Sequence, residues 1–131
     1  MTKRTLTGIF IIVGLLVMSI AVAGHHGASG YDNTKMTILQ ASITEFIWRN
    51  PHSEVRFETV DKKGDLQRWV IEAPPPTMLT ERGWTRKSLM PGAKVILHLN
   101  AAQNGAPTGI LRKVVLPNGE DLWAYPPLEL I

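Results

Sequence analysis

The chain has 131 residues, with 14 Lys and Arg against 11 Asp and Glu, four His and no Cys. The lack of cysteine excludes disulfides, thiolate metal centres and a lipid-modified cysteine. Lys3 and Arg4 belong to the extreme N-terminus, so 12 basic residues face 11 acidic ones over the rest of the chain. No dense basic stripe is present, and nucleic acid is not an expected partner.

From the N-terminus, Lys3-Arg4 precedes a run from Gly8 to Ala23 that is apolar except for Ser19, and Ala21-Val22-Ala23-Gly24 closes it with small residues. That is the layout of a secretory signal peptide, taken here as residues 1–24. The competing reading is an uncleaved anchor, for which Leu6 to Ala23 is at the short end of a membrane span. A membrane association is expected only in that case. Cleavage leaves roughly 107 residues, room for one small domain in the periplasm or secreted medium.

Residues 25–35 read as a flexible N-terminal arm, because Gly27 to Lys35 is polar and rich in glycine. Residues 36–131 read as the domain. Over 37–48, Leu39, Ala41 and Ile43 share one face, then the phase slips by one residue and Phe46 and Trp48 continue it. A slip of that kind predicts a β-bulge in a long first strand. Asn50-Pro51 marks a turn. Residues 54–61 alternate, with Val55 and Phe57 inward; Asp61 to Asp65 forms a hairpin loop, and 66–73 returns with Trp69 and Ile71 inward.

Pro74-Pro75-Pro76 stops the sheet, since proline cannot donate to a ladder. Thr77 to Arg82 predicts one or two helical turns, with Met78 and Leu79 toward the sheet and Gly83 at the left-handed cap position. Pro91-Gly92 turns into 93–101, where Val95, Leu97 and Leu99 face inward and Ile96 and His98 outward. Residues 108–116 form a fifth strand, and Asn118-Gly119 predicts a two-residue hairpin into 121–125. Three strands, a short helix and two strands, with the long bulged strand first, predict an all-β fold. It is a small OB-like five-stranded barrel with one short helix between strands three and four, preceded by the signal peptide. An open β-sandwich is the alternative. The expected core is Val55, Phe57, Trp69, Ile71, Val95, Leu97 and Leu99.

The candidate metal ligands are His25, His26 and His52. Cleavage after Ala23 leaves Gly24-His25-His26, in which the amine, two amides and the third-position imidazole can form a square-planar set suited to Cu(II). Cleavage after Gly24 makes His25 the first residue, so that its amine and imidazole chelate copper as a pair and His52 can add a third nitrogen. An exposed tip that binds copper incidentally competes with both, and turn capping competes for His52. His98, mid-strand, reads as a half-buried structural residue. Trp48, Arg49 and Trp84 are candidates for a ligand face, which Arg56 and Arg68 could join; the competing role for the tryptophans is core and barrel-end plugs. No catalytic residue is assigned, because no triad, paired-carboxylate or glycine-rich phosphate signature stands out.

His25-His26 followed by Tyr31-Asp32, Thr44-Glu45-Phe46 running into Trp48-Arg49-Asn50-Pro51-His52, Trp69 to Glu72, Leu79 to Trp84 and Leu89 to Gly92 form a pattern along the chain. It resembles a family of small exported bacterial proteins, domain-of-unknown-function family 6152. The resemblance implies an exported single-domain protein and supplies no activity. The reading is therefore a non-enzymatic exported binding module, with Cu(II) its sharpest candidate ligand. The alternative is a barrel that binds a small organic ligand, a glycan or a periplasmic protein partner through the Trp/Arg face. A copper-dependent oxidoreductase is a third class.

Overall fold

The computed structural model describes residues 30–127. The leader, His25 and His26 lie outside the described residues. The strands are β1 (Thr37–Ile47), β2 (Ser53–Val60), β3 (Leu66–Ala73), β4 (Lys94–Ala101), β5 (Thr108–Val115) and β6 (Asp121–Trp123), with helix α1 (Pro76–Glu81) between β3 and β4. The sheet runs β3-β2-β1-β4-β5-β6 and is closed by a β3–β5 pairing. The closing ladder is parallel, from Val70–Thr108 to Glu72–Ile110, while every other ladder is antiparallel. This is the predicted OB-type barrel. β6 takes over the edge of β5 where β3 leaves it, pairing Lys113–Trp123 and Val115–Asp121.

The long first strand serves both halves of the barrel. Residues 37–42 pair with β4 and residues 42–47 with β2. Ile43 opposes Phe57 while Glu45 opposes Arg56, so Thr44 is the extra residue of a bulge, as the slip in the apolar pattern predicts. The bulge keeps Ala41 and Ile43 inward on one side and Phe46 against the core on the other. Of the seven expected core residues, Val55, Phe57, Ile71, Val95, Leu97 and Leu99 are buried. Trp69 is half-buried and stacks on Phe57, with ring centroids 6.0 Å apart.

Closure requires Gly109. A Cβ there would lie 2.6 Å from the carbonyl oxygen of Asn100 and 2.7 Å from Leu99 Cδ1. The glycine lets β5 approach β4 while it also pairs with Ile71 of β3.

Helix α1 plugs one end of the barrel. Pro76 occupies its first turn, where a missing N–H costs nothing. The helix ends in a Schellman cap: Trp84 N–H donates to Leu79 O, Gly83 N–H donates to Thr80 O, and Gly83 has φ +84°. The cap turns Trp84 into the core beside Leu79 and Leu89. Ordered contact also begins before β1. Tyr31 bridges Ala102, Asp32 N–H donates to Ala101 O, and the buried Asn100 amide donates to Asp32 O and Lys35 O. Residues 30–35, read from the sequence as part of an arm, are thus held against the end of β4.

Candidate functional site

The outer surface of the barrel carries two different faces, and the turn of β1 separates them. The face over the second half of β1, β2 and β3 is a ladder of ion pairs. Arg56 Nη1 donates to Glu45 at 3.0 Å and its Nη2 to Glu54 at 3.3 Å; Arg49 also donates to Glu54, and Arg68 Nε donates to Glu58 at 3.0 Å. Arg49, Arg56 and Arg68 are therefore matched to carboxylates. Arg56 and Arg68 point away from Trp69, which packs inward on Phe57.

Trp84, expected on a ligand face, is instead part of the core. It is only 1% exposed and cannot present a stacking surface. Its indole N–H donates to Trp123 O at 2.9 Å, which satisfies the polar edge of a buried ring. Trp48 is half-buried and sets its edge against Phe46, whose ring lies 5.9 Å from Trp84. Trp48 and Trp84 belong to one aromatic cluster at the plugged end. Arg49, exposed beside that cluster, is engaged by Glu54.

His52 is exposed in the loop between β1 and β2. His98 stands opposite Ile38, at the other end of β1. The fold therefore does not bring these two imidazoles together. Among the described residues no three His, Cys, Asp or Glu side chains stand close enough to hold a metal ion. His98 faces Lys113 across β4 and β5. Burial first, and then the Lys113 charge, hold its pKa below the usual histidine value, with Asp121 opposing.

The second face contains an open groove of about 830 Å³. Its floor is the outward side of β1 at Ile38, Gln40 and Ser42. Sequence and twist explain why it opens. β1 and β2 pair no further than Ser42–Glu58, so residues 37–41 have a strand partner on the β4 side alone. The end of the β2–β3 hairpin diverges from β1, and Thr59 Oγ1 spans the gap by donating to Gln40 O at 2.7 Å. Val60 and Leu66, which face each other across the hairpin, form one wall; Ile96 and Val115, opposed across β4 and β5, form the other. Seven large hydrophobic side chains are exposed among the described residues, and Ile38, Val60, Leu66 and Ile96 are four of them. Concentration of exposed apolar groups in one concavity marks an interaction site more reliably than single exposed residues do.

The polar end of the groove is one cross-strand row, Arg68–Glu58–Ser42–Lys94, spanning β3, β2, β1 and β4. Arg68 already engages Glu58, whereas Lys94 is exposed and has no hydrogen-bond or ion-pair partner among the described residues. The sequence pattern alone does not single out these groove residues. The signal it does hold is parity: Ile38 and Ile96 are apolar at outward positions of strands whose opposite parity already supplies the core.

Residues 13–112 match the family of unknown function DUF6152. The chain belongs to this family. No curated protein and no solved structure gives a match. The matched span contains the barrel through most of β5 and includes Ile38, Val60, Leu66, Lys94 and Ile96 of the groove; Val115 and β6 follow it.

Proposed function

We propose that this protein is an exported binding module whose ligand is predominantly apolar and seats in the groove across the first half of β1. The observation that carries this reading is the gathering of Ile38, Val60, Leu66 and Ile96 at one concave surface. These side chains are about half exposed, so a ligand that covers them gains roughly 0.5–2 kcal/mol for each. The face around Arg56 offers no equivalent, because its charged side chains already pair with one another. Export is supported by the layout of residues 1–24.

The test is displacement and saturation of Nile red, an uncharged apolar dye, followed by fluorescence. Wild-type protein should enhance its emission, and Ile38→Asp and Ile96→Asp should abolish that enhancement while far-UV circular dichroism stays unchanged. Val70→Asp, on the ion-paired face, and Met90→Asp, in the loop before β4, remove exposed apolar groups elsewhere. Equal loss in all four variants would exclude the groove as the site.

A further inference from the structure

We infer that the groove is built for an amphipathic anion, a single aliphatic chain ending in a carboxylate, with the chain over Ile38 and Ile96 and the carboxylate at Lys94. This inference rests on the groove reading above and adds the class of its ligand.

The groove changes polarity along its length. Its apolar end is Ile38, Val60, Leu66 and Ile96. Its other end is the row Arg68–Glu58–Ser42–Lys94, of which Glu58, Ser42 and Lys94 line the groove and Arg68 pairs with Glu58 from outside it. The anion is already satisfied, since Arg68 Nε lies 3.0 Å from Glu58. The cation without a partner is Lys94. Farther along the same face, Lys113 is neutralised by Asp121 at 2.8 Å, and His98 favours its neutral form. Lys94 is thus the charge that a ligand headgroup would meet, and its sign selects a carboxylate over an ammonium.

The spacing fits a medium-length chain. Ile38 and Ser42 lie on one strand face four residues apart, about 13 Å at the usual rise of a strand. Ser42, opposite Lys94, adds a neutral hydrogen-bonding group beneath the headgroup end, where an oxygen-rich terminus is better accommodated than a methyl.

The experiment compares decanoate with decyltrimethylammonium, both below micelle formation, by calorimetry and by displacement of Nile red. Decanoate should bind more tightly to the wild type. Lys94→Gln should weaken decanoate by about two- to five-fold, the range of an exposed ion pair, and leave the cationic analogue unweakened. Lys94→Glu should reverse the order of the two ligands. Ile38→Ser, which adds no charge, should weaken both by roughly tenfold through lost apolar cover. Equal binding of the two amphiphiles, unchanged in both Lys94 variants, would overturn the headgroup assignment and leave the apolar groove standing. Decanoate binding that Ile38→Ser leaves unweakened would overturn the groove reading as well. So would failure of both amphiphiles to bind, whether the protein sediments as a monomer or as a dimer that Ile38→Asp separates; the dimer would identify a second copy as the occupant.

Discussion

The two outer faces of this barrel are made by the same strand and have opposite chemistry. Beyond the bulge at Thr44, β1 contributes Glu45 to a face where Arg49, Glu54 and Arg56 are cross-linked in pairs. Before it, β1 contributes Ile38, Gln40 and Ser42 to a face of exposed aliphatic groups and one unpaired lysine. The inner wall beneath both is continuous and apolar. A sheet that needed only to fold could be covered largely with paired charge, as it is around Arg56. The difference shows that folding and surface chemistry place separate demands on this chain, and that the demand unexplained by folding lies over the first half of β1.

The largest test of that separation sets the inner wall against the outer one within a single strand. Leu97 is fully buried between Leu39 and Val114, while its neighbour Ile96 faces the groove and is 37% exposed. Leu97→Ala should destabilise the fold by about 2–5 kcal/mol in chemical denaturation, through lost burial and an unfilled cavity. Ile96→Ser should change stability by only about 0.5–1 kcal/mol. Similar costs at the two positions would mean that the groove face is covered in solution.

A smaller effect is expected at the seam that gives both faces their curvature. Gly109→Ala forces a methyl against the Asn100 carbonyl, which belongs to the backbone and cannot rotate away. Overpacking of this kind should cost about 1–3 kcal/mol. Because the seam joins β3 to β5, amide exchange should accelerate first along Val70 to Glu72. Acceleration confined to the β1–β2 ladder would place the weak point elsewhere.

Much of this architecture is legible in the sequence, for identifiable reasons. The bulge is visible because an inward apolar phase must slip when a strand gains a residue, as it does between Ile43 and Phe46. The helix cap is visible because Gly83 follows a short helical run. The last hairpin is visible but its two-residue turn is not borne out: Leu116 N–H donates to Glu120 O, so the loop is the three residues Pro117, Asn118 and Gly119, and only Gly119 takes a positive φ, +85°. The role of Trp84 is not legible. A tryptophan just past a cap can plug a barrel or stand on its rim, and the choice depends on Trp123 O, 39 residues away in sequence. The groove is hidden for a related reason. Ile38, Val60, Leu66 and Ile96 are scattered along four strands, and only the divergence of β1 from β2 makes them one surface. The parallel β3–β5 closure is likewise a long-range pairing, with no local turn to announce it.

On the ion-paired face, Arg56 provides the contrast to the groove variants. It engages Glu45 and Glu54 with its side chain 44% exposed, so solvent screens much of the attraction. Arg56→Met should cost less than about 1 kcal/mol, and the cost should shrink further in about 1 M salt. Nile red and decanoate binding should be unaffected. A change in ligand binding without a change in structure would connect the two faces and weaken the division drawn between them.

The smallest expected effect is a pH dependence from His98, which sits where the groove face meets the Lys113–Asp121 pair. Burial and the Lys113 charge lower its pKa in the folded protein below the unperturbed value of 6.5, with Asp121 acting in the other direction. The unfolded chain therefore binds the His98 proton more readily than the folded one in the window below 6.5. Stability linked to this residue is fully present above that value and declines as the pH falls toward and through the lowered folded pKa. His98→Gln, which cannot titrate, should flatten that part of the curve; Lys113→Met should move the titration upward by removing one of the two causes. The measurement is an NMR titration of the His98 ring together with melting temperatures of the three proteins from about pH 5 to about pH 7.5. A His98 pKa at or above 6.5 in the wild type would contradict the assignment of its surroundings as partly dry and cationic. It would also place a second positive charge on the groove face in mildly acidic solution, where Lys94 is taken to act alone.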